Sequence, residues 1–291
     1  MSQSVQRAQI RRYASNPINT LLGVAIQTVN MEFECVKATK MIEFGALAVT
    51  TVPANDPLLP AWITSIQITI NQTEQVVPAM SRADYVAMVQ NFEMKELDLI
   101  TAAGNALFKR FDPALPIGTK VQVQLVLNTL ALGTTTPAAT CLLTPFINAY
   151  DSLAAAQRRL TYYSPMSFMP AVAGVVVNVP IANNLGNYAR KEKGIVIITE
   201  NPVATPVDTW LGTLQLRADG QTVIDLAQPT LKKQYELMSD GEPVPIGWNA
   251  LICPEGGFEA ASNAQLQVVI TPYFTIATAI ARGYEIFEKA Y

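Results

Sequence analysis

Histidine is absent from the 291 residues. That removes the usual general base, the commonest metal ligand and every Ser-His-Asp or Cys-His arrangement. Three cysteines, Cys35, Cys141 and Cys253, are far apart and odd in number, so they describe no disulfide framework. Nothing around Cys141 or Cys253 marks a reactive thiol, and both suit small buried hydrophobes. There is no glycine-rich phosphate loop, no Cys-x-x-Cys and no cluster of acids at metal-ligand spacing. Isolated carboxylates and lysines remain, and single groups define no reaction. The expectation is a chain with no catalytic residues, no cofactor and no metal, and so not an enzyme.

The residues left with recognition chemistry are few. Arg7, Arg11 and Arg12 form a short basic arm, since the first acid is Glu32. No apolar core follows them, so the expectation is that this segment is not a secretory signal. Trp62 and Trp210 have the stacking surface that sugar-binding sites use, but both open similar strand-like segments, which favours packing in a core. Asn71-Gln-Thr73 fits a glycosylation sequon, of little weight in a chain read as unexported. Asp219-Gly220 reads as a tight hairpin turn. Arg190-Lys-Glu-Lys193 reads as a solvated loop.

The elements that would position these groups follow from composition and pattern. Charged residues make up 15% of the chain, against about 25% in an ordinary soluble protein. The polar remainder is rich in Thr, Asn and Gln. Charge is depleted from interface cores, so this surface points towards assembly. A net charge of −3 offers no basic face, so no specific nucleic acid is expected. No stretch approaches 18 consecutive apolar residues. The length suits two domains of about 120–140 residues.

β-Branched or alternating runs occur at Gly23–Val29, Ile42–Val52, Ile63–Ile70, Lys120–Leu127, Val172–Val179, Gly194–Thr199, Leu211–Ala218 and Ala264–Thr271. Proline- and glycine-containing turns separate them, the signature of an all-β sandwich or barrel. Short helices are expected after Ser81, with Asp84 completing a capping box, and after Pro229. A third is expected over Tyr150–Tyr162, and the tail from Ile276 carries a helical stripe of Ile280, Tyr284, Phe287 and Tyr291.

A duplication organises the whole. Trp62-Ile-Thr-Ser-Ile-Gln-Ile-Thr-Ile-Asn71 aligns without gaps on Trp210-Leu-Gly-Thr-Leu-Gln-Leu-Arg-Ala-Asp219. A polar turn, a short strand (Gln75–Val77; Thr222–Ile224) and a helix follow in both copies. Tyr85–Met88 matches Tyr235–Met238, and Pro-Ile-Gly recurs at Pro116–Gly118 and Pro245–Gly247. Gln122–Leu127 matches the closing run Gln265–Ile270, and Phe44–Val52 parallels Ile195–Glu200 upstream. Glu93–Phe111 reads as a segment added to the first copy, a loop or helical extension.

Two such halves, each all-β with a flanking short helix, resemble the double jelly-roll major capsid proteins of tailless icosahedral phages and related viruses. The resemblance covers residues 17–275. It implies two tandem jelly-roll β-barrels: a basic arm at 1–16, a first barrel at 17–140 and a connection with a short helix at 141–165. A second barrel then spans 166–275 and a tail, helical by its stripe, 276–291. It further implies a structural coat protein of the virion, made in the host cytoplasm, whose homotrimers form pseudo-hexagonal capsomers. Its partners would be itself, minor capsid proteins and an internal viral membrane, met through Arg7, Arg11 and Arg12. The same arm packed on a neighbouring subunit is the plainer alternative. A jelly-roll receptor- or carbohydrate-binding module, spike or lectin-like, is the alternative function. A bicupin enzyme fails for want of histidine ligands.

Overall fold

The computed structural model describes residues 10–14, 18–20, 26–50, 63–85, 88, 106–128, 141–152, 159–167, 174–181, 190–200, 211–238, 248–253, 257–260, 264–272 and 280–290. They form β1 (Ile10–Ala14), β2 (Ile18–Thr20), β3 (Ile26–Glu34), β4 (Thr39–Thr50), β5 (Ile63–Ile70), β6 (Glu74–Ser81), β7 (Ala106–Leu115), β8 (Lys120–Asn128) and β9 (Cys141–Asp151). The second half continues with β10 (Arg159–Ser167), β11 (Val177–Pro180), β12 (Arg190–Glu200), β13 (Leu211–Ala218), β14 (Gln221–Ala227), helix α1 (Gln228–Met238), β15 (Trp248–Ile252), β16 (Phe258–Ala260), β17 (Leu266–Pro272) and β18 (Ile280–Ala290). The chain divides into two compact units, Met1–Leu160 and Thr161–Ala290.

Unit 1 holds two antiparallel sheets. One has the order β1-β9-β4-β7, with β2 also on β9, and the other the order β3-β8-β5-β6. Unit 2 repeats this as β10-β18-β12-β15, with β16 on β12, and β11-β17-β13-β14. With β1 and β2 taken as one broken strand, and β15 and β16 as another, each unit puts its first, eighth, third and sixth strands in one sheet. The second, seventh, fourth and fifth make the other. That is the jelly-roll order.

Alternation builds each interior. Ile66, Ile68 and Ile70 of β5 face Leu125, Val123 and Val121 of β8, all fully buried. Leu214 and Leu216 of β13 face Ile270 and Val268 of β17 in the same way. Each such side chain is worth roughly 1.5–3 kcal/mol on leaving water. Between them, polar Gln67, Thr69, Gln122 and Gln124 point outwards and are half-buried.

The turn after β5 is the same device as the turn after β13. Asn71 and Asp219 both take positive φ, 50° and 51°, a conformation that Asn and Asp tolerate better than most residues. The amide of Asn71 donates to the Lys120 carbonyl at 2.8 Å, and its Oδ1 accepts from the Lys120 amide at 3.1 Å. Asp219 makes the same two bonds with Gln265, at 2.9 and 2.8 Å. Each turn is thereby tied to the first residues of the seventh strand.

This clamp corrects the register read from sequence. It equates Lys120 with Gln265, so Gln122 pairs with Gln267 rather than with Gln265. A slip of two residues keeps every side chain on its face, which is why the pattern concealed it. By the same reasoning Tyr85 corresponds to Leu231, one helical turn before Tyr235. The pairings Ser65↔Ser81 and Thr213↔Ala227 set the two helix starts level, and both Tyr85 and Leu231 are buried. The Pro-Ile-Gly match is coincidental, because Pro116–Gly118 lies between β7 and β8 while Pro245–Gly247 precedes β15 in the chain.

Other expectations change more. The Tyr150–Tyr162 helix is not formed as predicted, since β9 runs through Asp151 and β10 begins at Arg159; residues 153–158 lie outside the described residues. The 141–165 connection therefore contains the eighth strand of unit 1 and most of the first strand of unit 2. The arm at 1–16 contributes β1, and within the tail at 276–291 the described residues, 280–290, are the strand β18. Both faces of β18 are buried, through Tyr284 and Ile286 on one side and Glu285 and Phe287 on the other. A strand buried on both faces loses its alternation, and the residual spacing imitated a helix. In Glu93–Phe111, residues 106–111 belong to β7, a strand present in both copies.

Two helix starts stand. The Asp84 amide donates to Ser81 Oγ at 3.1 Å at the head of a helical turn over residues 82–85, as an N-cap should. Pro229 lies in the first turn of α1, which packs on β15.

Candidate assembly surface

Arg11 and Arg12 lie in β1, at the register positions of Ala149 and Asn148. Arg7 lies outside the described residues, as do Trp62 and Trp210. Among the described residues, no three His, Cys, Asp or Glu side chains come together to hold a metal ion. Cys35 and Cys253 are buried. Burial, and then the charge of Glu192, push the Cys253 thiol up to about 12, against a smaller lowering by the Phe258 amide. Such a thiol is a poor nucleophile at neutral pH.

Sequence reading missed several buried polar groups. Lys109 of β7 is fully buried opposite Ile42, and Glu192, Asn249 and Glu285 are buried in unit 2. Lys109 fell in a segment read as a loop or helical extension. Glu192 fell in the run Arg190–Lys193, read as a solvated loop but in fact the start of β12, and Asn249 and Glu285 sit where strand facing, which composition does not reveal, decides burial.

The outward faces of the sheets carry the chemistry that remains. On the β3-β8-β5-β6 sheet, Gln124 Nε2 donates to Asn30 Oδ1 at 2.9 Å across strands. On the β11-β17-β13-β14 sheet, Gln215 Nε2 donates to Asp225 Oδ2 at 2.9 Å. The Arg217 guanidinium forks onto Gln215 Oε1 at 2.8 and 3.1 Å. On the β1-β9-β4-β7 sheet, Glu43 Oε2 accepts from Asn148 Nδ2 at 2.9 Å and Tyr150 Oη at 3.0 Å. Burial first, then the hydrogen bond to Glu43 and its charge, raise the Tyr150 phenol to about 12, so it stays protonated. The corresponding face of β10-β18-β12-β15 is apolar and buried: Val196, Ile198, Ala250, Ile252, Tyr284 and Ile286. At one end of unit 1, Val36 and Ile117 stand exposed at 57% and 70% on adjoining turns. Reciprocal backbone bonds link those turns, Cys35 N to Thr119 O and Gly118 N to Cys35 O.

The same strand order closed twice, once in each unit, defines a class of protein: a double jelly roll. No family model matches the chain, and no curated protein does so by sequence. Solved structures do match. The major capsid protein P2 of bacteriophage PM2 superposes with a TM-score of 0.62 at 10% identity, over 97% of this chain and 97% of that one. A chain of Sulfolobus Turreted Icosahedral Virus gives 0.62 at 9% identity, over 97% and 91%. VP54 of PBCV-1 gives 0.60 at 10% identity, over 100% and 96%. The chain is thus similar over its whole length to viral capsid chains, and its fold is theirs.

Proposed function

We propose that this chain is the major coat protein of a tailless icosahedral virion, assembling as a homotrimer with a pseudo-hexagonal outline. The observation that carries this is the repetition of one jelly-roll strand order in both units, matched end to end by the PM2 capsid protein. Two barrels per chain give a threefold object six similar walls, which suits a hexagonal lattice. The β3-β8-β5-β6 and β11-β17-β13-β14 sheets turn Gln, Asn and Thr outwards, groups that hydrogen-bond across a contact at little desolvation cost compared with charges. The exposed large apolar side chains among the described residues, Ile26, Val36, Ile117, Val175, Val176 and Val223, include no aromatic platform. That supports assembly over carbohydrate binding.

The finer reading follows the resemblance. Minor capsid proteins join capsomers, the chain is made in the host cytoplasm, and its role in the virion is structural rather than enzymatic. The arm that carries Arg7, Arg11 and Arg12 contacts an internal membrane, each basic group worth about 1 kcal/mol beside anionic lipid, with packing on a neighbouring subunit as the alternative. Light scattering on the purified chain tests the core of this. A species near three times 31.6 kDa, hexagonal in projection, is expected; a chain that stays monomeric up to high concentration and under assembly conditions overturns it. Co-sedimentation with anionic vesicles tests the arm, with unchanged binding by the Arg7→Ala, Arg11→Ala, Arg12→Ala variant as the adverse result.

A further inference from the structure

We infer that β15 is a latent self-pairing edge held closed by α1, and that displacing the helix lets β15 of a second copy add to it, antiparallel. The inference is independent of the coat-protein reading: it concerns what keeps two copies from exchanging strands.

Among the described residues β15 pairs with β12 alone, at the end of its sheet. The amide of Cys253, just past β15, donates to the Lys193 carbonyl of β12 at 3.0 Å. Backbone groups alternate in direction along an antiparallel strand. Asn249 and Leu251 therefore turn theirs towards β12, and Trp248, Ala250 and Ile252 turn theirs away. The strand reads Trp-Asn-Ala-Leu-Ile, without charge, proline or glycine, a composition suited to recruiting another strand. Pairing it with itself about a twofold axis opposes no like charges. The helix stands against this edge. Gln234 Nε2 donates to the Ile252 carbonyl at 2.7 Å, the acceptor that an incoming strand needs. One turn earlier Leu231 is fully buried in the core of unit 2, while Lys232 is half-buried and Lys233 exposed.

Unit 1 reaches the same result with different residues. Tyr85, in the helical turn over residues 82–85, donates its Oη to the Phe108 carbonyl of the edge strand β7. The irregularity between Thr39 and Met41 in β4 sets level with that between Glu192 and Gly194 in β12. Lys109 then corresponds to Leu251, and Phe108 to Ala250. The capped carbonyls of Phe108 and Ile252 are thus two residues out of step. Their donors, Tyr85 and Gln234, are one helical turn out of step. A contact merely inherited through the duplication would use matching positions. Two unlike donors on equivalent edges point instead to a requirement of the edge, that its outward carbonyls be held. The edges differ in their other protection. β7 exposes Arg110, a charge of the kind that blunts an edge, whereas β15 has none and depends on α1.

The test uses the full chain and a fluorescein-labelled peptide carrying residues Trp248–Ile252. Gln234→Glu has the shape of the native side chain and no donor, and should bind the peptide about tenfold more tightly than wild type. Gln234→Met removes the donor without adding a charge, and should show the same gain. Gln234→Arg keeps a donor and should match wild type, as should Lys233→Glu, which alters only the exposed side of α1. Amide exchange locates the event: Ala250 and Ile252 should exchange faster in Gln234→Glu and slow again when the peptide binds. Tyr85→Phe should leave binding of a peptide carrying Ala106–Phe111 nearly unchanged, and Tyr85→Phe with Arg110→Ser should raise it. A wild-type chain that takes the Trp248–Ile252 peptide as tightly as the Glu and Met variants overturns the inference. So does a Gln234→Arg variant that gains as much as they do, or a bound peptide that leaves Ala250 and Ile252 exchanging as before. None of these results alters the mass of the assembled species, so the coat reading is judged separately.

Discussion

The two units share a strand order and an interior, and they differ on their outsides. Unit 2 closes the outer face of its β10-β18-β12-β15 sheet with Val, Ile, Ala and Tyr. Unit 1 dresses the same face with a Glu43–Asn148–Tyr150 network. Edge strands differ the other way: β6 buries Val76 and Pro78, while β14 exposes Val223 and Asp225. Pro78 in β6 also lacks the N–H with which an edge recruits another strand. The lesson is that duplication copies what alternation enforces, namely facing and order, while each outer surface is free to follow its place in the chain and the assembly.

The most severe way to break this comparison is to put one charge on each of the two corresponding faces. Val196→Asp buries a carboxylate in an apolar, fully covered wall and should cost roughly 4 kcal/mol or more, enough to lose cooperative unfolding. Met41→Asp, on the third strand of unit 1, is half-buried beside polar groups and should cost about 1 kcal/mol. Urea denaturation of the full chain measures both. Similar losses would show that the two faces are equally closed.

A smaller and sharper contrast lies in two glycines with nearly the same φ. Gly257, at +77°, has the Glu192 carbonyl oxygen only 2.5 Å from where a Cβ would stand, while Gly118, at +84°, has nothing within 4 Å. Gly118→Ala therefore reports only the left-handed backbone, about 1–2 kcal/mol. Gly257→Ala adds a clash with main chain that cannot swing aside, and should lose about 2 kcal/mol more. Thermal midpoints of the two variants decide it.

The paired turns should behave alike, where the faces do not. Asn71→Ala and Asp219→Ala each remove one acceptor for the seventh strand and a residue at ease with positive φ. About 1–2 kcal/mol is expected in each case. A cost confined to one turn would mean that the clamp supports only one unit.

How much of this was legible depended on how many faces of a strand are buried. β5, β8, β13 and β17 alternate Ile, Leu and Val with Gln and Thr, and they were readable from sequence together with the repeat that joins them. β18 has both faces buried and was mistaken for a helix. β9 ends at Tyr150-Asp151 and β10 opens at Arg159-Leu160, and the gap between them is short enough for a stripe of Leu153, Ala156 and Leu160 to bridge in a helical reading. β7 was read as an insertion because Lys109 and Arg110 interrupt its apolar run, although the Lys109 side chain is wholly buried. The walls were legible as composition, Thr, Asn and Gln in place of charge. Which wall is open was not, since covering depends on tertiary neighbours that strand periodicity does not encode.

The gentlest probe of the two units is alkaline pH, because each holds one group whose proton the fold retains. Cys253, inside unit 2, is raised from near 9 to about 12 by burial and by Glu192. Tyr150, on the outer face of unit 1, is raised from near 10 to about 12 by burial and by Glu43. In both cases the native state binds the proton more tightly than the unfolded chain does, so stability falls as pH rises. Well below pH 9 neither group contributes a slope. From about pH 9 the unfolded thiol ionises while native Cys253 does not, and from about pH 10 the phenol joins it, each loss running on towards pH 12. Cys253→Ala should therefore flatten the urea midpoint between about pH 9 and 10, and Tyr150→Phe should flatten it only above about pH 10. The tyrosine effect should be the weaker, because Tyr150 is half-exposed and solvent screens its partner. A wild-type midpoint that holds level from about pH 9 to 11 would mean that water reaches both groups, and the closed interior of unit 2 would then differ less from the outer face of unit 1 than their side chains imply.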